Sequence, residues 1–291
     1  MDGVSNVTDV TDIIDCLLRN GSSEGLNADV SRDGIVSITD VTLMIDYLLK
    51  PDFYDQPQYG PVYPGFDLPE GAELSEVNGV SFAMLPIDTV DEQGNLVHKF
   101  SLGVTEVTIE LWQAVMGNNP TTASQQHDFI SPRWPVSNVN WYEANEFIAN
   151  LNELTGMEFR LPANYEWGYA AHGGLLFHQY KYAGSDDIDV VGWCFYNLPE
   201  GFDMTMGGCP VGLKSPNELG IYDMTGNVAE WCSNGPYGTS LDRAYILGGD
   251  VTQDASQCFL DITMYDSRTA RQGSWAAGVG LPVYYGLRLA M

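Results

Sequence analysis

The 291-residue chain is 44% hydrophobic and 12% aromatic, enough for a packed core in one large domain or two. Its 39 acidic residues against 12 basic ones give a net charge of −27, which excludes a phosphate-backbone binder and argues against docking on an anionic membrane. No apolar run has the length of a bilayer-spanning helix, so neither nucleic acid nor direct membrane insertion is expected.

Residues 1–50 hold an internal repeat: DGVSNVTDVTDIIDCLL from Asp2 returns as DGIVSITDVTLMIDYLL from Asp33. In the second copy, Asp29, Ser31, Asp33, Ser37 and Asp40 fall on the side-chain positions of a twelve-residue calcium loop. Ile35 offers its carbonyl at the seventh position, and Gly34 makes the sharp turn at the sixth. The first copy has only part of the loop, with Asp2, Asn6 and Asp9, because Met1 falls inside it; an export signal trimmed from the N-terminus is expected. The aspartate at the twelfth position and the V-T-x-x-I-D-Y-L-L that follows resemble a type I dockerin repeat. That resemblance implies either a cohesin-like partner or a stalk, as similar repeats often serve in gut Bacteroidetes proteins.

Residues 51–75 read as a linker, with Pro51, Pro57, Pro61, Pro64 and Pro69 among aromatics giving an extended connection. A second domain is expected over 76–291. Val77 to Pro86 reads as a strand entered through Asn78-Gly79, Asp91–Asn95 as a hairpin tip, and Phe100 onward as the next strand. Thr108 caps a helix bearing Leu111, Trp112 and Val115 that stops at Gly117. Asn140 caps another, with Trp141, Ala144, Phe147, Ile148 and Leu151 on one face, ending near Gly156. A short helix follows over Ala163–Ala171. Trp112, Trp134, Trp141 and Trp167 are expected in the core, and His98, His127, His172 and His178 on the surface. The five cysteines, Cys16, Cys194, Cys209, Cys232 and Cys258, include no C-x-x-C pair, so zinc is not expected. Cys194 and Cys209 flank one loop and are either a disulfide or two reduced thiols.

The chain is organised around Asn217–Trp231, NELGIYDMTGNVAEW, an apolar run broken by Gly226-Asn227. Asp223 and Glu230 bracket the turn. By spacing alone they are either calcium ligands or an Asx-type turn beside a solvated Glu230, with the second favoured. The stretch matches N-x-x-G-x-Y-D-M-x-G-N-V-x-E-W at every fixed position. With E-V-T-x-x-x-W from Glu106, P-V-x-x-V-x-W from Pro135, F-R-L-P from Phe159 and Y-A-G-S from Tyr182, it resembles the formylglycine-generating enzyme, or sulfatase-modifying factor, family. The resemblance implies an α+β domain of the C-type lectin-like class behind a small α-helical dockerin-like module. It also implies structural calcium held by Asp223 and Glu230 with carbonyls near Gly226 and Val228.

Active members of that family oxidise a substrate cysteine to formylglycine, using copper(I) held by two cysteines after a G-G-S-[WY] strand. Soft thiolates suit that ion. The matching stretch is Gly248-Gly249-Asp250-Val251, with Cys258 on the second cysteine position and Gln253 on the first. Loss of one thiol points away from copper and from catalysis, and Cys258 becomes catalytic only if the oxidase reading holds. After Gly249 the sequence departs from the family until Gly286. This diverged segment resembles, in its position, the variable proteins of diversity-generating retroelements. A binding surface for a protein or glycan is expected from Asp250, Val251, Thr252, Tyr265, Asp266, Arg268, Arg271, Trp275, Tyr284 and Tyr285. The expectation is thus an exported, calcium-stabilised, extracellular or cell-surface binding protein. A formylglycine-generating oxidase and a structural part of a dockerin-mediated assembly are the alternatives.

Overall fold

A computed structural model describes residues 68–90, 96–121, 132–199, 202, 204–236, 242–273 and 282–291. All belong to one unit, Asp67–Met291. The calcium loops, with Asp2, Asn6, Asp9, Asp29, Ser31, Asp33, Ile35, Ser37 and Asp40, lie outside the described residues, as do Cys16, His127 and Trp275.

The domain opens with an antiparallel sheet of β1 (Glu73–Val77), β2 (Val80–Val90) and β3 (Leu96–Gly103). Asn78 and Gly79 both take positive φ, at 49° and 82°, which makes the tight turn that pairs Val77 with Val80. The start of β1 lies inside the stretch read as linker, and Pro69 packs so closely on Gly220 that a Cβ there would lie 2.5 Å from it. Phe82, Ala83, Met84, Leu85 and Ile87 of β2 are all buried in the core.

Helix α1 (Ile109–Met116) starts where the Thr108 hydroxyl accepts from the Leu111 N–H at 3.3 Å, and it ends on left-handed Gly117. Helix α2 (Trp141–Thr155) has a reciprocal cap between Asn140 and Glu143 and stops at left-handed Gly156. Trp112 stacks on Phe147 at 4.9 Å and joins the two helices. Helix α3 (Asn164–Ala171) and the short α4 (Ile188–Val191) follow.

The second sheet has the order β6-β5-β4-β7, from β4 (Ala229–Trp231), β5 (Arg243–Leu247), β6 (Met264–Ser267) and β7 (Tyr285–Gly286). β7 runs parallel to β4, and the other pairs are antiparallel. Beyond β7, the Leu287, Leu289 and Met291 carbonyls accept from the Val107, Gly103 and Ser101 N–H groups, so the last residues close onto β3. Trp112, Trp134 and Trp167 are core residues as expected. Trp141 is not: it is half-buried, because its ring lies under the Arg268 guanidinium at the domain surface. His98 is also more than a surface residue, since its Nε2 lies 2.8 Å from the buried Glu166 carboxylate, which Arg160 also pairs.

Candidate binding surface

The central turn is built from left-handed backbone at Asp223, Gly226 and Asn227, with φ of 56°, 73° and 62°. Only glycine fits the middle position, because a Cβ on Gly226 would lie 1.9 Å from the Trp193 carbonyl oxygen. The Asn217 side chain holds the entry, accepting from the Leu219 and Ile221 N–H groups and donating to the Ala170 carbonyl. Neither bracketing carboxylate is solvated. Glu230 is fully buried, and Arg288, itself fully buried, donates to its two oxygens at 2.8–3.1 Å. Trp167 donates to Glu230 Oε2 at 2.7 Å. Asp223 Oδ2 accepts from the Gly212 N–H at 2.6 Å.

This corrects the solvated Glu230 expected from spacing alone. Arg288 supplies a buried positive charge to Glu230, and both Glu230 oxygens accept hydrogen bonds. The Gly226 and Val228 N–H groups are bonded to the Gly248 carbonyl and the buried Glu106 carboxylate. One buried oxygen, Asp223 Oδ1, has no hydrogen-bond partner. Among the described residues, no group of three or more His, Cys, Asp or Glu side chains is arranged to hold a metal. Glu106, Asp223, Glu230 and Arg288 form a buried charged group with three acids to one base. Burial raises the Asp223 carboxyl to about 6 and pushes Glu106 well above its ordinary value, with the Asp223 and Glu230 charges adding to the rise in Glu106.

The copper position does not fit that ion. Gln253 is buried, and its side-chain carbonyl accepts from the Asp250 N–H at 3.1 Å. Cys258 is buried against Gly249, where a Cβ would lie 2.6 Å from its sulfur. Cys194 shares the same apolar cluster with Tyr182, Ile188 and Val191. Burial raises both thiols. The four described cysteines are free and buried, and Cys209 packs in a different cluster with Trp193 and Val228, so a Cys194–Cys209 disulfide is not formed.

The expected binding residues separate into two groups. Val251 is 0% exposed, Asp250 and Thr252 are as deeply buried, and Tyr284 and Tyr285 are each 5% exposed. These five are structural. The Asp250 carboxylate accepts from Tyr284 N–H at 2.6 Å and from the Thr252 N–H and hydroxyl, tying the loop after β5 to the last strand. Its pKa is pushed up to about 7 by burial. Tyr285 packs edge-on to Trp231, and its hydroxyl donates to Asp266 at 2.9 Å.

Tyr265 and Arg271 are exposed and Asp266 and Arg268 half-buried, all on β6 or the turn after it. Tyr265 is 46% exposed and stands opposite Tyr245 on the solvent face of β5–β6. Arg243 lies over its ring at 5.3 Å, and Arg268 lies over Trp141 at 4.3 Å. Tyr142, 49% exposed, reaches Asp242, which also accepts from the Ser267 hydroxyl at 3.0 Å. Arg271 pairs with Glu143 at the start of α2. Sequence reasoning missed Arg243, Trp141 and Tyr142. For Arg243 the usable signal was alternation, since Arg243 and Tyr245 flank buried Ala244 in β5.

Residues 68–290 match the family model described as "Sulfatase-modifying factor enzyme 1-like domain", and residues 1–49 match the one described as "Dockerin type I domain". Among curated relatives, the chain is 32% identical over 177 residues to "Chaperone protein LppX" of Paenibacillus barcinonensis, covering 46% of this chain and 61% of that one. It is 32% identical over 149 residues to "Formylglycine-generating enzyme" of Streptomyces coelicolor, covering 44% of this chain and 45% of that one. The chain therefore spans less than two thirds of either relative. The solved structure of "Treponema denticola variable protein 1" superposes with a TM-score of 0.59 at 26% identity, covering 75% of this chain and 98% of that one. The domain thus has the α+β, C-type lectin-like architecture that the motifs implied.

Proposed function

The chain belongs to the sulfatase-modifying factor enzyme 1-like family, and from that premise we propose that it is a non-enzymatic member that recognises a protein or glycan ligand. The observation that carries this reading is Gln253. An amide bonded to the Asp250 backbone stands where the family places one of its two copper thiols, and the other, Cys258, is sealed in an apolar cluster. The residues that lost the chemistry hold the loop together, and the strand after them, β6, carries Tyr265 and leads into Arg268 at the surface. Tyr and Arg are the residue types that dominate binding hot spots. The likeness to a protein named as variable supports a diverse C-terminal surface. Comparing this segment across sibling genomes tests that part, and an absence of clustered substitutions there would remove it.

In the proposed order, a dockerin-like module over 1–50 and a linker precede the binding domain, whose first strand, β1, starts at Glu73. The module takes calcium at Asp29, Ser31, Asp33, Ile35, Ser37 and Asp40, and it anchors the exported chain through a cohesin-like partner or as a stalk; the dockerin match supports this placement. Selection against a displayed random peptide library and a glycan array tests the binding role. Tyr265→Ala and Arg268→Ala are expected to lose the ligand that the parent protein retains. Equal retention by parent and variants would move binding away from this surface.

A further inference from the structure

Strand β6 ends the second sheet, and among the described residues nothing pairs with its outer edge. Such an edge offers a row of backbone N–H and C=O groups to an added strand. Two guanidinium groups, Arg243 and Arg268, lie beside it. Lys99, Arg160, Arg271 and Arg288 each pair with a carboxylate. Arg243 and Arg268 have no carboxylate partner among the described residues, although acids outnumber bases 39 to 12. Arg268 Nε is buried without a hydrogen-bond partner. Each guanidinium is instead laid on a ring, Arg243 on Tyr265 and Arg268 on Trp141, and Arg268 is further fixed by backbone bonds to Asp242 and Trp141. Stacking orients a guanidinium while leaving its edge donors for another acceptor. The acids of this edge are already engaged: Asp266 accepts from the Tyr285 hydroxyl and Asp242 from Ser267.

From this juxtaposition we infer that β6 is a docking edge for an extended acidic peptide segment, which adds as a strand and places carboxylates on Arg243 and Arg268. The inference deepens the binding reading above and rests on it. A glycan is the less favoured occupant, because each ring already has a face covered by a guanidinium and a sugar makes no use of a strand edge. The net charge of −27 opposes the approach of an acidic partner at long range, so added salt is expected to speed association while weakening the close ion pairs.

The test uses the full chain and a fluorescent, end-capped peptide of alternating glutamate and valine, about eight residues long. Its comparators are the same peptide with alternate backbone nitrogens methylated, a lysine–valine peptide, and polygalacturonate. Binding of the glutamate–valine peptide alone is expected. It should weaken on the order of tenfold or more in Arg243→Ala/Arg268→Ala, and as much on backbone methylation. Binding unaffected by methylation, or matched by polygalacturonate, would overturn strand addition. No binding of any probe would overturn the acidic-peptide assignment. The binding reading itself falls only if the parent protein also captures nothing from the library or the array.

Discussion

Arg288 is the cation on which the interior depends, and replacing it with methionine isolates that role. The side chain donates to Glu230, to the Gly103 carbonyl and to the Tyr222 carbonyl, all at 2.8–3.1 Å and with no exposure. Methionine fills much of the same space without the charge. Glu230 is left with Trp167 as its one hydrogen-bond donor, and Glu106 and Asp223 lose the positive charge that lowers their pKa values. Breaking a buried pair by removing one partner costs about 3–5 kcal/mol. For a domain of this size each kcal/mol moves the melting temperature by about 2–4 °C, so a fall of roughly 6–20 °C is expected. Thermal unfolding followed by tryptophan fluorescence, with and without a calcium chelator, measures it. The fall should be equal in both conditions, because Arg288 bonds Glu230 directly. A loss under about 1 kcal/mol, or a loss seen only when calcium is present, would refute the assignment of Glu230 to Arg288.

Three further outcomes follow from the same interior. Asp250 and Asp223, raised by burial to about 7 and about 6, hold protons in the folded state that the unfolded chain releases near 3.8. Their stabilising contribution is therefore complete below pH 3.8 and is lost as pH rises through 6 to 7. Urea unfolding across that range should show falling stability with a smaller slope in Asp250→Asn, and a matching slope would count against a buried, titrating Asp250. Cys194, Cys209, Cys232 and Cys258 are all buried, so a thiol reagent should label them only on unfolding; rapid native labelling at any of these four, located by peptide mass mapping, would contradict that packing. Calcium should raise the melting temperature through residues 1–50, and Asp33→Ala/Asp40→Ala should abolish the rise. A rise that persists in that variant would place the ion elsewhere.

Much of the fold was legible because its signals are local. Thr108 and Gly117, like Asn140 and Gly156, are cap residues whose chemistry acts within four positions, and the helices sit where those residues put them. Asn78-Gly79 likewise dictates its own turn. The interior of the site was not legible, because its partners are distant in sequence. Glu230 finds Arg288 58 residues away and Asp250 finds Tyr284 34 residues away, so Glu230 read as solvated or as a calcium ligand and Asp250 as a binding-surface residue until the chain is folded. Tyr284 and Tyr285 were misplaced for a related reason: an aromatic after a diverged loop suits a contact surface and a core strand equally. Trp141 erred in the opposite direction, since its helical spacing suits the core while its ring carries Arg268 at the surface.

The most direct test of a binding frame rather than an oxidase is a turnover assay. The purified chain is incubated with copper(I), oxygen and a peptide carrying a Cys-x-Pro-x-Arg motif, beside an active formylglycine-generating enzyme, and the peptide is followed by mass spectrometry. No formylglycine is expected from this protein while the control converts its peptide. Conversion by this chain would contradict the account, and it would require Cys258 to work in the cluster it shares with Cys194.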